Sequence, residues 1–351
     1  MNDLERERSL TAPFVSVIVP VRNEARFIAQ TMDSALAQDY PSARFEIIVA
    51  DGMSDDGTRD IMRYYGDRST RITLVDNKER RTPDGLNAAI AASKGEIICR
   101  IDGHCEIAPD FISQCVKLLH EHPEAWVVGG PIVHAGTSLF GKAAAIAMSH
   151  PAGVGGATHR FSGYEGYVDT VQFPAFRRCV FDRVGLFDTR LLRTEDDELN
   201  YRVAQAGGRM FVSPRVRYVY YVRDNVGKLF RQYFQYSFWR IPVVRKHKRP
   251  TTFRQVVPPC FFLAMVLLIL IGLLSAQPLI ALMMPGFYIA AILLVGFSVI
   301  QSQGVRVASL VPVAIATMHL AYALGIGYGV WAALFDRRAW NPTGRMSALS
   351  R

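Results

Sequence analysis

From Val257 to Ile300 the chain carries no charged side chain. Its two apolar stretches, Val257 to Ala276 and Leu279 to Ile300, are each long enough to cross a hydrocarbon core of roughly 30 Å, so this part of the chain reads as membrane helices. A third and longer apolar stretch, Ala308 to Phe335, contains Pro312, His319 and several glycines. Three full crossings would set Arg337, Arg338, Arg345 and Arg351 outside, against the tendency of basic residues to stay inside. A hairpin or re-entrant pair in the third stretch would keep them inside, and the sequence admits both.

The remaining two thirds of the 351 residues can hold one large domain. The net charge of +9 points to an anionic partner. Its basic residues gather at Arg80-Arg81, at Arg177-Arg178 and above all at Arg245 to Arg249, beside the apolar third, which favours a membrane surface over nucleic acid. The five cysteines form no CxxC pair, as expected in a reducing compartment. Residues 1 to 12 are charged and polar, which argues against an export signal and for a cytosolic N-terminal domain.

That domain begins with the β-branched run Phe14 to Val21, followed by Arg22-Asn23-Glu24 and a helical spacing of apolar residues to Leu36. The plan repeats. Strand Phe45 to Ala50 leads to Asp51-Gly52-Met53-Ser54-Asp55-Asp56-Gly57-Thr58 and a helix from Arg59 to Tyr65. Strand Arg71 to Val75 leads to Thr82-Pro83-Asp84-Gly85 and an alanine-rich helix from Leu86 to Ser93. A fourth apolar run, Ile97, Ile98, Cys99 and Ile101, stops at Asp102-Gly103-His104. This alternation predicts an α/β domain whose mainly parallel sheet is covered by helices, with its sites at strand ends. Further strands are expected at Val127 to Val133, Val168 to Phe176 and within Arg209 to Val222. The Gly-, Ala- and Ser-rich segment His134 to Asp169 shows little amphipathic period and reads as a mobile acceptor-side loop.

Three strand ends carry acids or amides: Asn23-Glu24, Asp51 with Asp55-Asp56, and Asp102. A strand-end carboxylate can accept from the imide N–H of uracil, and loop amides suit phosphate. Asp102 and His104 flank a glycine and can turn toward one divalent cation. Each feature alone is also ordinary turn and cap chemistry. The stretch Leu191 to Arg202, LLRTEDDELNYR, by itself reads as an acidic helix start.

Together the motifs VSVIVPVRNEARFI, EIIVADGMSDDGT, GLNAAIAASKGE and IDGHCEIAPDF resemble those of family 2 glycosyltransferases with the GT-A fold, over about residues 14 to 240. Within the family the likeness is to enzymes that extend lipid-linked exopolysaccharide repeats, of the succinoglycan type. The resemblance implies that Pro20, Asn23 and Glu24 border the nucleoside, that Asp51 receives uracil, and that Ser54 and Asp55 share its loop. It implies that Gly85 and Asn87 lie in the loop before the third helix. Leu86 stands where many members have an arginine for the diphosphate, and Arg80 or Arg81 could supply that charge. The family's usual Asp-Ala-Asp metal motif appears as Asp102-Gly103-His104, implying Mg²⁺ or Mn²⁺ at Asp102 and His104. Glu195-Asp196-Asp197-Glu198-Leu199 with Arg202 matches the family pattern in which the first aspartate, here Asp196, is the catalytic base. The family's processive members carry Gln-x-x-Arg-Trp, whereas this chain has Gln235, Phe238 and Trp239, which favours transfer of a single sugar.

The organisation expected is a tail (1–13), a GT-A domain (14–225), a basic amphipathic segment (226–256), membrane helices (257–335) and a second tail (336–351). The implied activity is inverting transfer from a UDP-sugar, with UDP-glucose favoured, to a polyprenyl-diphosphate-linked saccharide at the cytoplasmic face of a bacterial inner membrane. Lipids and the lipid-linked acceptor would be its partners, and nucleic acid would not. Direct transfer to polyprenyl phosphate and a non-catalytic nucleotide-sugar binder are the alternatives.

Overall fold

The computed structural model describes residues 12–250, 252 and 255–336. Most of the two expected tails, with Arg337, Arg338, Arg345 and Arg351, lies outside the described residues. The chain forms two compact units, one from residues up to Val133 plus Thr158–Tyr220, the other from His134–Ala157 plus Tyr221 onward.

In chain order the elements are β1 (Val15–Val21), α1 (Ile28–Leu36), β2 (Phe45–Asp51), α2 (Thr58–Arg68), β3 (Ile72–Asp76), α3 (Thr82–Ala92), β4 (Ile97–Arg100), β5 (Cys105–Ile107), α4 (Phe111–Glu121), β6 (Ala125–Gly129) and β7 (Val133–Ala135). Then come α5 (Leu139–Ser149), α6 (Pro151–Val154), β8 (Gly166–Val168), β9 (Ala175–Arg177), α7 (Cys179–Val184), α8 (Glu195–Gln205), β10 (Arg209–Val212) and β11 (Tyr218–Tyr221). Helices α9 (Val226–Phe238), α10 (Arg240–His247), α11 (Val257–Leu274), α12 (Pro278–Ser298), α13 (Ile300–Gln303), α14 (Val305–Ala308) and α15 (Val311–Phe335) complete the chain.

The first unit is built on an eight-stranded sheet of order β3-β2-β1-β4-β9-β6-β10-β8. The pairs β1 with β2, β1 with β4, β2 with β3 and β6 with β10 are parallel, while β9 and β8 run antiparallel to their neighbours. Alternation explains why the inner strands are apolar throughout. Val17, Val19, Ile47, Val49 and Cys99 pack into the core on one face, and Ile18, Ile48, Ala50 and Ile98 into the core on the other. With helices over both faces, neither set can be polar. Because β1, β2 and β4 are parallel neighbours, their C-terminal ends bring Asn23, Asp51 and Asp102 to the same edge.

Several expectations are corrected. Val127–Val133 is not one strand, since β6 ends at Gly129 and pairing resumes at Val133. Gly130 interrupts it because its backbone runs against Val216: an added Cβ would lie 1.8 Å from the Val216 carbonyl oxygen. Val168–Phe176 likewise divides into β8 and β9, with Phe173 at φ 48° between them. The helix placed at Leu86–Ser93 begins at Thr82, so Gly85 is helical; it is the residue that fits there, with Asn77 and Ala50 pressed against its backbone. The segment read as a mobile loop, His134 to Asp169, contains α5. The Ser138 side chain caps this helix by accepting from the Gly141 N–H, and Ala143, Ala144 and Ala147 bury its small face. An alanine-rich helix that packs by closeness has little amphipathic contrast to read. Residues 134–157, placed within the 14–225 domain on sequence, group with the second unit.

In that unit the three long apolar helices meet the length and hydropathy needed to cross a membrane. The helices α11 and α12 form an antiparallel pair, in tight contact beside their turn, where an added Cβ on Gly272 would lie 2.4 Å from the Ala281 nitrogen. The third apolar stretch is a continuous helix rather than a hairpin.

Candidate active site

The loop after β2 is held by its own polar groups. Asp51 is fully buried, and its carboxylate accepts from the Ser54 N–H (3.1 Å), the Ser54 hydroxyl (2.5 Å) and the Arg59 guanidinium (2.9 Å). Arg59 also reaches Asp76 at the end of β3 (2.6 Å). Asn23 takes a left-handed conformation (φ 57°) that turns its amide onto Asp55: its Nδ2 donates to Asp55 Oδ1 (2.9 Å), and the Asp55 N–H donates back to Oδ1 (3.1 Å). The Glu24 N–H donates to Thr58 Oγ1 (2.9 Å) and the Ala25 N–H to Asp56 Oδ2 (3.0 Å). Five of the expected residues, Asn23, Glu24, Asp51, Ser54 and Asp55, are therefore joined in one network across the ends of β1 and β2. Pro20 lies just before it in β1, paired in register with Ala50.

The Asp102-Gly103-His104 turn is fixed from α1, where the buried Thr31 hydroxyl bonds the carbonyls of Gly103 (3.1 Å) and Cys105 (2.9 Å). Gly103 is required by a close approach, because a Cβ would come within 2.7 Å of Val21 Cγ1. The His104 Nδ1 lies 3.0 Å from Glu24 Oε1, and the ring faces Tyr220 at 5.4 Å. His104 thus links the end of β4 to the end of β1.

Arg100, the last residue of β4, interrupts the apolar run that the sequence reading stepped over. It is buried, and its Nη2 lies 3.3 Å from Asp102 Oδ1 and 3.4 Å from Glu195 Oε1. Burial opposes its charge, but the carboxylates of Asp102, Glu195 and Asp196 more than offset this and raise its pKa. Through Arg100 the strand-end acid and the first turn of α8 belong to one charge cluster. Within it burial, reinforced by the charge of Asp196 and opposed by Arg100, pushes Glu195 up to about 7. Burial and the neighbouring Asp197 raise Asp196 as well, again against Arg100. Thr194, left-handed at φ 63°, sets the sharp entry to this helix.

The rest of the EDDEL stretch is architectural. Glu198 is fully buried and pairs with Arg202 (2.9 Å), which donates to the carbonyls of Val184, the last residue of α7, and of Gly185 and Leu186 beyond it. Asp197 receives the Thr170 hydroxyl at 3.3 Å. Asn87 is likewise committed, exchanging two bonds with the Phe187 backbone (2.9 and 3.0 Å), and Gly85 sits in α3 against Asn77, so neither joins the cluster around Asp51. Arg81 pairs with Asp84 (2.8 Å) and Glu79 (3.4 Å), which engages the charge expected for a diphosphate. The sequence reading missed Arg59 and Arg100. For Arg100 the signal was available, a single charge inside an otherwise buried strand.

No group of three or more His, Cys, Asp or Glu side chains able to hold a metal occurs among the described residues. Asp102, about a quarter exposed, and His104 offer a carboxylate and an imidazole. This donor set fits a Mg²⁺- or Mn²⁺-type cation that takes its remaining ligands from substrate phosphates, the usual arrangement for such sites.

The profile for glycosyl transferase family 2 matches residues 16–185. The succinoglycan biosynthesis protein ExoA of Rhizobium meliloti (strain 1021) is 30% identical over 334 residues, covering 94% of this chain and 97% of ExoA. A Methanococcus voltae enzyme, dolichyl N-acetyl-alpha-D-glucosaminyl phosphate 3-beta-D-2,3-diacetamido-2,3-dideoxy-beta-D-glucuronosyltransferase, is 25% identical over 66% of this chain and 74% of its own length. Among solved structures, the mannosyltransferase PcManGT of Pyrobaculum calidifontis, in complex with GDP-Man and Mn²⁺, aligns over 95% of this chain and 94% of its own with a TM-score of 0.58 at 20% identity. S. aureus TarS 1-349 in complex with UDP-GlcNAc aligns over 91% and 92% with a TM-score of 0.51 at 15% identity. At those identities the structures establish the fold, and the near full-length relationship to ExoA establishes the family: the chain is a glycosyltransferase of family 2, with a GT-A fold followed by apolar helices long enough to span a membrane.

Proposed function

We propose that this enzyme transfers a single sugar, with inversion, from a UDP-sugar to a polyprenyl-diphosphate-linked saccharide in exopolysaccharide biosynthesis, on the cytoplasmic face of the bacterial inner membrane. UDP-glucose is the favoured donor. The observation that carries the reading is Arg100, which brings the strand-end acid Asp102 and the acids of α8 into one cluster. The relationship to ExoA over nearly the whole chain supports the pathway, and the Methanococcus enzyme supports a lipid-linked acceptor. Phe238 in place of the arginine of processive enzymes supports transfer of one sugar.

In this reading the network of Asn23, Asp51, Ser54 and Asp55 binds the nucleoside, and Asp102 with His104 would hold a divalent cation. Such a cation, when bound, stabilises negative charge on the leaving diphosphate. Asp196 accepts the proton of the acceptor hydroxyl as that oxygen attacks the anomeric carbon, and the carbon–oxygen bond to the diphosphate breaks with its electron pair leaving on UDP. The test is UDP release by membranes given UDP-sugars and native lipid-linked acceptor. Wild type should release UDP in an acceptor-dependent and chelator-sensitive way, and Asp196→Asn should not. Equal release by both would remove Asp196 from the mechanism, and release indifferent to chelation would remove the cation.

A further inference from the structure

We infer that Glu24 is the positioning residue of the metal centre: its carboxylate holds the His104 imidazole with the proton on Nδ1 and Nε2 offered to the cation, which suits the centre to Mn²⁺ over Mg²⁺. This role rests on the cation proposed above at Asp102 and His104. It goes further in giving the Glu24 side chain a task and the cation an identity.

Glu24 divides its groups between two ends of the sheet. Its backbone serves the end of β1 and the loop after β2: the N–H donates to Thr58 Oγ1 (2.9 Å), and the carbonyl accepts from the Phe27 and Ile28 N–H groups (2.9 Å each) at the entry to α1. Its side chain serves the turn after β4. There Cγ lies close enough to Gly103 that an added Cβ would sit 3.3 Å from it, and Oε1 lies 3.0 Å from His104 Nδ1. The carboxylate assigned on sequence to the nucleoside border is thus held against the metal motif.

An ionised carboxylate only accepts hydrogen bonds, so the bond to Oε1 requires the proton on His104 Nδ1. In the neutral ring the lone pair is then on Nε2, the nitrogen that can meet a cation. The backbone of the turn is already fixed by the Thr31 hydroxyl on the carbonyls of Gly103 and Cys105, so what Glu24 adds is the tautomer and the angle of the ring. Thr31 lies in α1, the helix whose entry the Glu24 carbonyl caps, so one element holds both the turn and the residue that orients its histidine. Tyr220, opposite Cys105 in the β5–β11 pair, flanks the ring at 5.4 Å. The side chains of Glu24, His104 and Asp102 remain 24%, 19% and 24% exposed, which leaves the turn open to a ligand. A carboxylate behind an imidazole ligand fixes its orientation and raises its basicity.

The donor set then selects the ion. Mg²⁺ is a hard cation that takes oxygen ligands and gives up water reluctantly, so an imidazole adds little to its binding. Transition ions take nitrogen donors, and Mn²⁺ among them also suits the carboxylate and phosphate oxygens that complete this site. A ring already aimed by Glu24 therefore strengthens Mn²⁺ binding and leaves Mg²⁺ binding much as Asp102 sets it.

The test is Mn²⁺ binding by the full chain in detergent, read from the loss of the free-ion EPR signal, with Mn²⁺ alone and with UDP or GDP added. Pulsed EPR of the bound ion should show the nitrogen modulation of a coordinated imidazole, absent from His104→Asp. Glu24→Ala should weaken Mn²⁺ binding by about tenfold to a hundredfold, the usual cost of removing such a partner, and should weaken Mg²⁺ binding, measured by competition, far less. Glu24→Gln, which keeps an acceptor oxygen but loses the charge, should recover a large part of the loss. His104→Asp should lower the ratio of Mn²⁺ to Mg²⁺ affinity, and in its background Glu24→Ala should no longer change that ratio. Because the Glu24–His104 pair is partly exposed, the melting temperature in EDTA should stay near wild type in every variant, which separates this role from a structural tie. A bound ion without nitrogen modulation, or Mn²⁺ affinity unchanged in Glu24→Ala, overturns the inference and leaves the cation standing. Equal losses for both ions in Glu24→Ala and Glu24→Gln mean that Glu24 acts only through its charge, and overturn it too. A wild type that binds no Mn²⁺ in any of the three conditions removes the cation, and the inference with it.

Discussion

Two groups of acids at the same edge of the sheet behave in opposite ways. In the loop after β2, local donors satisfy the carboxylates: Asp51 by Ser54 and Arg59, Asp55 by Asn23, Asp56 by Thr58 and Ala25. Burial works to raise Asp56, yet its hydrogen bonds hold it below the ordinary value. Around β4 and α8 the acids crowd one another, with Arg100 between them, and Glu195 and Asp196 are raised. The first group spends its charge on the shape of a loop. The second keeps carboxylates with raised proton affinity beside Asp102, and the proposed general base is one of them.

The sharpest way to break this contrast is within the second group. Asp196→Asn should lower kcat by roughly 10² to 10⁴ with donor affinity near wild type, the range for loss of a general base. Asp197→Asn should leave kcat within a few-fold, because successive helical side chains diverge by about 100° and Asp197 faces Thr170. UDP release with donor titration decides it; a dead Asp197→Asn beside an active Asp196→Asn would exchange their roles.

Next in size is Arg100→Gln. Breaking a buried ion pair by removing one partner typically costs about 3–5 kcal/mol, so the melting temperature should fall clearly. Since Arg100 lowers the Asp196 pKa, its loss should also move the acidic limb of the kcat–pH profile upward. Arg100→Lys should recover part of both. A fall in stability with an unmoved profile would make Arg100 a structural residue only.

A smaller effect is expected from Glu195→Gln. A carboxyl raised in the fold from 4.5 to about 7 contributes stability that is present below its ordinary pKa and lost as pH rises through about 7. The melting temperature of the variant, measured against wild type from pH 5 to 8, should therefore improve steadily in its favour. A parallel pair of curves would show that Glu195 is not raised. In the first group, Asp51→Asn should act mildly on kcat and mainly on donor KM, because it weakens the hold of Arg59 on a loop and leaves the α8 acids untouched.

What the sequence revealed follows the same division. The parallel sheet was legible because β1, β2 and β4 are apolar on both faces and each ends in a polar turn. The acids of the site were legible through motifs whose spacing is local. A lone charge in the β4 run marked Arg100, but its pairing with Glu195 and that of Arg59 with Asp76 join different elements of the fold, and no local pattern names those partners. The helix α5 stayed hidden for another reason: its alanines pack by closeness, and closeness has no periodic signature. The burial of α15 was equally out of reach, since composition records that a helix is apolar and not how much of it another helix covers.

Gly103 and Val21 constrain each other. The family's familiar motif places alanine at this position, but here a methyl group would meet Val21 at 2.7 Å and Glu24 Cγ at 3.3 Å. The valine at the end of one strand and the glycine at the end of the next share a fixed volume, so neither can drift alone. A methyl group at position 103 therefore asks for a smaller side chain at position 21. Gly103→Ala alone should be impaired, and adding Val21→Ala should restore it, an epistasis written into the spacing of two adjacent strands.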